Sequence, residues 1–513
     1  MTQQIQTFSI TAPGFYGLNT QDSSLDLASG FALVANNCVI DQYGRIGARK
    51  GWVPQHVYNE ILDGADIKMI TEHIVDSGVS YIIGAGNNKL FKLDGSTLTE
   101  LTYGGGGTAP TITDDNWCVA SLGSDLYLFQ RGHDPLEFSA NWSTTQYRRI
   151  SEQPGYNGTV QQGNIAISAY GRVWNADTTT DKSTVQWSDI KAAQKYSTGS
   201  AGTLDTTSVW PHGNDIVVGL AAHNNFLFIF GLSNILVYSG ATDPSTMKLY
   251  DAITGIGCIA RDTIQNTGED VIFLSSTGVR SVLRTIQEKS APYRDLSKNV
   301  RNDLMIAAQG ENLARVKSVY SPLESFYLLS MPVSKIVYCF DLKQQLQDGS
   351  SRVTTWDSIT PTAFCYLRDR SLLIGKNSYI GKYAGHLDNT SSYRFQYFTN
   401  HTDLGTPSVT SVLKKLSVVV IGGSNQFVTI KWGYDFAGNY QAQNIKIPAQ
   451  GIAYFGVSEY NIAEYSAGTS LQTLTAYPTG SGKVIQTGYE SDIAGSALSV
   501  QKIEIQAKNG KIV

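Results

Sequence analysis

The stretch Phe226–Tyr238, FLFIFGLSNILVY, decides the fold: two apolar strands flank a tight polar turn, and a second turn, Ala222-His223-Asn224-Asn225, stands just before it. Asparagine and glycine give such turns their backbone freedom, while aromatic and β-branched neighbours suit a pleated, half-buried surface. The pattern is that of a β-hairpin.

The same pattern, a short strand, a polar turn and an apolar second strand, occurs seven times. The second strands begin at Tyr81, Leu126, Val173, Phe226, Val271, Phe326 and Leu372, with start-to-start spacings of 45 to 55 residues. That period is about the length of one four-stranded propeller blade. One such sheet cannot bury both faces by itself, whereas a ring of them stacks each face on a neighbour. The expectation is an all-β chain built on a β-propeller of six or seven blades. Unrelated hairpins distributed among sandwiches are the competing arrangement.

Composition points the same way. Charged residues make up 16% and aromatics 11%, with 28 Tyr and 49 Gly, so the chain lacks the Glu/Lys/Ala/Leu runs of long helices. Lys plus Arg number 39 against 43 Asp plus Glu, a formal charge of −4. A stable grip on nucleic-acid phosphates needs clustered cations, which this balance does not suggest. The absence of a long apolar run or a basic-then-apolar leader predicts a soluble protein made in a cytoplasm, with no membrane span. Five scattered cysteines, Cys38, Cys118, Cys258, Cys339 and Cys365, lack metal-ligand spacing and read as buried free thiols.

Residues 1–60 precede the repeats and alternate as strand, turn and strand through Ala32-Leu33-Val34, Cys38-Val39-Ile40 and Asp41-Gln42-Tyr43-Gly44, followed by Arg45, Arg49 and Lys50. The residues Asn37, Asp41, Gly44, Ile46, Arg49 and Gly51 fit a pattern N-x-x-x-D-x-x-G-x-[ILV]-x-x-[RK]-x-G. This segment resembles the opening of the tail nozzle proteins of short-tailed bacteriophages, also known as packaged-DNA stabilisation or tail tubular proteins. Downstream, GRVWNA (Gly171–Ala176), VQWSDI (Val185–Ile190), TGIGCIA (Thr254–Ala260) and VIFLSSTGVRSV (Val271–Val282) follow one another in the order that family shows. A solvated β-turn with a positive-φ Gly44 accounts for the first motif equally well on physical grounds.

The repeats are expected to fill residues 61–390, with a helix near Lys298–Ala314. Residues 391–513 alternate clearly, in VLKKLSVVVIGGSNQFVTIKWGYDF and LSVQKIEIQAKNGKIV, and predict an additional C-terminal β-sandwich-like domain that ends in strand, turn and strand over Val500–Val513. Three polar or Gly-rich segments, Tyr103–Thr111, Tyr196–Ser208 and Gly422–Gln426, are candidate rim or gating loops.

No catalytic, cofactor-binding or metal-ligating set emerges. Seven histidines form no metal motif, and His212 and His223 flank an apolar strand as surface groups. Gly104–Gly107 lacks the Lys-Ser/Thr and helix of a phosphate loop. A glycosidase would need paired carboxylates, and Asp189, Asp251 and Asp357 are the candidates for a central funnel. The chain is therefore not expected to be an enzyme.

The resemblance implies a structural virion protein: a homo-oligomeric ring, a hexamer, around the DNA channel. Such a ring retains packaged DNA and lets viral DNA pass during ejection without sequence-specific binding. The same resemblance implies tail adaptor proteins above, tail fibres or spikes outside, and a place in the virion tail after assembly in the host cytoplasm. A host-surface carbohydrate-binding or glycan-degrading propeller is the alternative.

Overall fold

The computed structural model describes residues 5–113, 116–283, 295–403, 409–448 and 471–512. Its organising element is a ring of seven small antiparallel sheets. The seven second strands lie at Ser80–Gly86, Asp125–Phe129, Arg172–Ala176, Phe226–Gly231, Val271–Ser275, Phe326–Met331 and Leu372–Lys376, each starting within one residue of its sequence expectation. Their first strands, from Ile67–Ile74 to Ala363–Tyr366, line the axis, and the first and last of these lie side by side, so the ring is closed.

The continuous apolar run of Phe226–Gly231 follows from its place between two neighbours. Side chains alternate across a strand, so Leu227 and Ile229 enter the core shared with the third blade, while Phe228 and Phe230 enter the core shared with the fifth. Both faces are buried, hence both sets are apolar. The same division holds for Leu126 and Leu128 against Tyr127 and Phe129 in the second blade. In the second, third and fourth blades two-residue turns join the first strand to the second where positive φ is needed: Asn224 and Asn225 have φ of 47° and 65°.

The seventh blade takes its outer strand from near the start of the chain. Trp52–Pro54 pairs antiparallel with Tyr379–Tyr383 through Tyr383↔Trp52 and Gly381↔Pro54, which fastens the two ends of the propeller. The sixth blade (Lys317–Ser321, Phe326–Met331, Ile336–Gln345, Ser351–Trp356) does not end at its fourth strand. It continues through Gly17–Leu18 and Phe31–Asn36 into Tyr393–Thr399, Ile485–Ile493, Phe427–Tyr434 and Gln441–Lys446, one sheet of ten strands.

A second sheet orders Leu471–Ala476, Val409–Gly422, Leu498–Ile512, Ile46–Ala48 and Cys38–Ile40, with Ile5–Thr11 also paired to Leu498–Ile512. The two sheets make a C-terminal sandwich whose core is continuous with that between blades five and six. Residues 5–48 are thus woven into the sandwich before the chain reaches the propeller.

Two local expectations need correction. The chain ends in one unbroken strand, Leu498–Ile512, and not in strand-turn-strand; Asn509 is held in the ladder opposite Ser411, while Val513 lies outside the described residues. The helix is Arg301–Gln309, shorter than expected because Lys298–Val300 before it is a 3₁₀ turn and Gly310, donating back to the Ala307 and Ala308 carbonyls, closes its last turn.

Candidate functional site

The seven inner strands leave an axial cavity of about 280 Å³. Every blade contributes to its wall, with Lys68, Cys118, Ala166, Leu220, Lys317 and Phe364 among the lining groups. Most of these are apolar because each inner strand turns one face toward the neighbouring blade.

Arg261 crosses this cavity. It begins the short 3₁₀ turn Arg261–Thr263 that leads into the fifth blade, directly after the glycine-rich step Thr254–Ala260. Its guanidinium donates to both oxygens of Asp262, at 2.6 and 2.9 Å. It also reaches across the axis to Asn116 O and Oδ1 at 3.1 and 2.7 Å, in the second blade, and to the Asn164 carbonyl and Oδ1 in the third. One planar donor therefore ties three blades together, as a rigid fork can and an ammonium cannot.

The Lys317 ammonium also donates to Asp262, sharing Oδ2 with the guanidinium. Burial by itself raises the Asp262 pKa, but the two cations prevail and hold the carboxyl at about 2. The Arg261 guanidinium, desolvated yet paired, is pushed further up from its ordinary value, the Asp262 charge outweighing burial.

The candidate carboxylates do not meet in this funnel. Asp189 lies in the third blade and accepts from the Ser200 backbone N–H and hydroxyl, both at 3.1 Å; these bonds, the backbone one first, lower its pKa. Asp251 sits on the outer strand of the fourth blade. Asp357 follows the sixth blade and accepts from Asn36 and Asn37 at 2.6 Å. Among the described residues, no group of three or more His, Cys, Asp or Glu is placed to hold a metal ion.

The residues of the N-terminal motif come together as a knot between propeller and sandwich. Arg49, fully buried, donates to both Asp388 oxygens at 2.8 and 2.6 Å and to Asn37 Oδ1 at 3.2 Å, and its guanidinium lies 4.0 Å from the Tyr393 ring centroid. Asn37 donates to the Arg394 carbonyl at 2.8 Å. Asp41 caps its own turn through the Tyr43 and Arg45 N–H groups, and Gly44 (φ +72°) passes where a Cβ would strike Pro13. Gly51 lets the chain pass the Leu387 carbonyl, which a Cβ would overlap.

The three candidate gating loops are tied down. Arg149 donates to Tyr103 Oη at 2.8 Å and to the Thr108 carbonyl at 2.7 Å. Within Tyr196–Ser208, Gly202–Asp205 is the outer strand of the third blade. Gly423 donates to the Ala497 carbonyl at 2.6 Å, and Ile447 to Gln426. Of the other singled-out groups, His223 Nε2 lies 3.1 Å from the Glu269 carbonyl oxygen. Cys38, Cys258 and Cys339 are buried free thiols, and Cys118 and Cys365 are half-buried.

Arg261, Lys317 and Lys68 escaped the sequence reading. The available signal was a single cation abutting an inner apolar strand, in CIARD and ARVKSV, which is indistinguishable in one sequence from a charged rim residue.

No protein-family model and no curated protein matches the chain. Among solved structures, it is similar to the extracellular domain of a one-component system from B. thetaiotaomicron, at 10% identity and a TM-score of 0.41, over 88% of this chain and 60% of that one. The chain thus spans about 60% of that protein's length. It is also similar to the WD40 domain of Neurospora crassa Pan2, at 10% identity and a TM-score of 0.34, over 66% of this chain and 95% of that one. A third similarity, to Kluyveromyces lactis Hsv2, has 12% identity and a TM-score of 0.28 over 54% and 81% of the two chains.

Proposed function

We propose that this chain is a structural subunit of a ring, the tail nozzle of a short-tailed phage, through which viral DNA is retained and then released. The observation that carries the reading is the Asn37–Gly51 knot. Two of the residues that carry the resemblance, Asn37 and Arg49, weld the propeller's closing strand to the sandwich together with Asp388. A body welded in this way transmits load without flexing between its parts, as a passive conduit wall requires.

The closed axis constrains the geometry of any such conduit. Because Arg261 bridges three blades across the middle of the propeller, DNA does not thread a single subunit, and the channel is a space enclosed by several copies. Closed rings of this kind use heterologous contacts, one face of each copy against a different face of the next. The low formal charge of −4 suits a wall along which a polyanion slides.

Native mass measurement and electron microscopy of the purified chain, alone and with candidate adaptor proteins, test the reading. Six-membered rings with an axial opening are expected. A chain that stays monomeric in every mixture, and that binds or hydrolyses a glycan, overturns it in favour of the host-surface propeller.

A further inference from the structure

We propose that the axial cavity of the propeller and the small recess that continues from it form a binding site for one small oxyanion of the phosphate class, held where they meet by Lys68, which lines both, and by Arg315 of the recess, beside the Arg261–Asp262–Lys317 cluster. The proposal is independent of the nozzle reading and rests on the charge balance of this partly open space.

Four cations border the cavity and the small recess that continues from it: Lys68, Arg261, Arg315 and Lys317. Two carboxylates, Asp66 and Asp262, face them. Asp262 is committed to Arg261 through both oxygens and to Lys317 through Oδ2. Asp66 is a weak partner for Lys68: the nearest N–O distance is 3.8 Å and the carboxylate is 45% exposed, against 16% for the Lys68 side chain. Counting all six groups leaves the space with two excess positive charges.

Low-dielectric walls focus such a charge and raise the local concentration of small counter-ions. Lys68 and Lys317 line both the cavity and the recess, and the recess extends to Arg315, Asn116 and Thr362, so the two form one path from the axis to the exposed Arg315. At about 280 Å³ the cavity has room for one tetrahedral anion and several waters, each of which takes roughly 30 Å³. The ligand is mobile and small, since the wall is formed by seven packed strands and admits no duplex.

The test is isothermal titration of the full chain with inorganic phosphate at constant ionic strength, with sulfate as a second oxyanion and chloride as the control. The expected result is saturable binding of one phosphate per chain that chloride does not reproduce. Lys68→Gln and Arg315→Gln leave the Arg261–Asp262 pair intact and each weaken binding about tenfold, the equivalent of one charge-assisted hydrogen bond. Asp66→Asn removes the competing carboxylate and tightens binding. Unchanged thermal unfolding of all three variants without phosphate shows that the fold is preserved. Absence of saturable binding, an equal response to chloride, or wild-type affinity in Lys68→Gln overturns the proposal.

Discussion

Replacing Arg261 with methionine tests whether the propeller is pinned at its centre. Methionine fills most of the stem volume but donates nothing, so Asp262 keeps only Lys317, and the Asn116 and Asn164 carbonyls lose their bridging donor. Removing one partner of a buried ion pair costs about 3–5 kcal/mol, because the other charge stays desolvated. The pH dependence carries a sign. Asp262 titrates at about 2 in the folded protein against an ordinary 3.8, a difference worth roughly 2 kcal/mol. A depressed carboxyl contributes its stability fully above the unfolded value and loses it as pH falls from about 4 toward 2. Equilibrium urea unfolding followed by tryptophan fluorescence reads the loss, since buried Trp117 sits beside the Arg261 contacts. Arg261→Met is expected to lower stability by about 3 kcal/mol at pH 7 and to show a weaker acid-dependent loss between pH 4 and 2 than the parent. A variant within about 0.5 kcal/mol of the parent at pH 7, with the same acid limb, refutes the pinning argument.

Other outcomes follow from the packing. Phe230→Ala empties a fully buried site between the fourth and fifth blades and is expected to cost about 3–5 kcal/mol in urea unfolding. Gly51→Ala drives a Cβ into the Leu387 carbonyl and should loosen the closing strand Trp52–Pro54, seen as faster limited proteolysis near residue 52 and faster amide exchange in Tyr379–Tyr383. Burial pushes the Cys258 and Cys339 thiols up to about 12, so at pH 8 both should resist a thiolate-specific reagent in the native protein and react only after unfolding.

The second strand of each blade was legible because burial on both sides demands largely apolar runs: Phe226–Gly231, Val271–Ser275 and Phe326–Met331 all announce themselves. The outer strands were not. Gly202–Asp205 and Trp52–Pro54 are short and partly exposed, and their residues, GTLD and WVP, carry no periodic signature. The partnership of Ile5–Thr11 with Lys502–Lys508 joins segments almost a full chain apart, and nothing local in either names the other. The central cluster was hidden for a related reason, since Arg261, Asn116 and Asn164 acquire meaning only when the ring brings three blades to one axis.

The clasp of the seventh blade has a consequence for biosynthesis. Trp52–Pro54 leaves the ribosome long before its partner Tyr379–Tyr383 exists, and at roughly 5–20 residues per second that wait lasts tens of seconds. The strand Ile5–Thr11 waits longer still, until Lys502–Lys508 appears. Two early strands therefore stay unpaired through much of translation; the toroid locks once Tyr379–Tyr383 has emerged, and the sandwich takes up Ile5–Thr11 later.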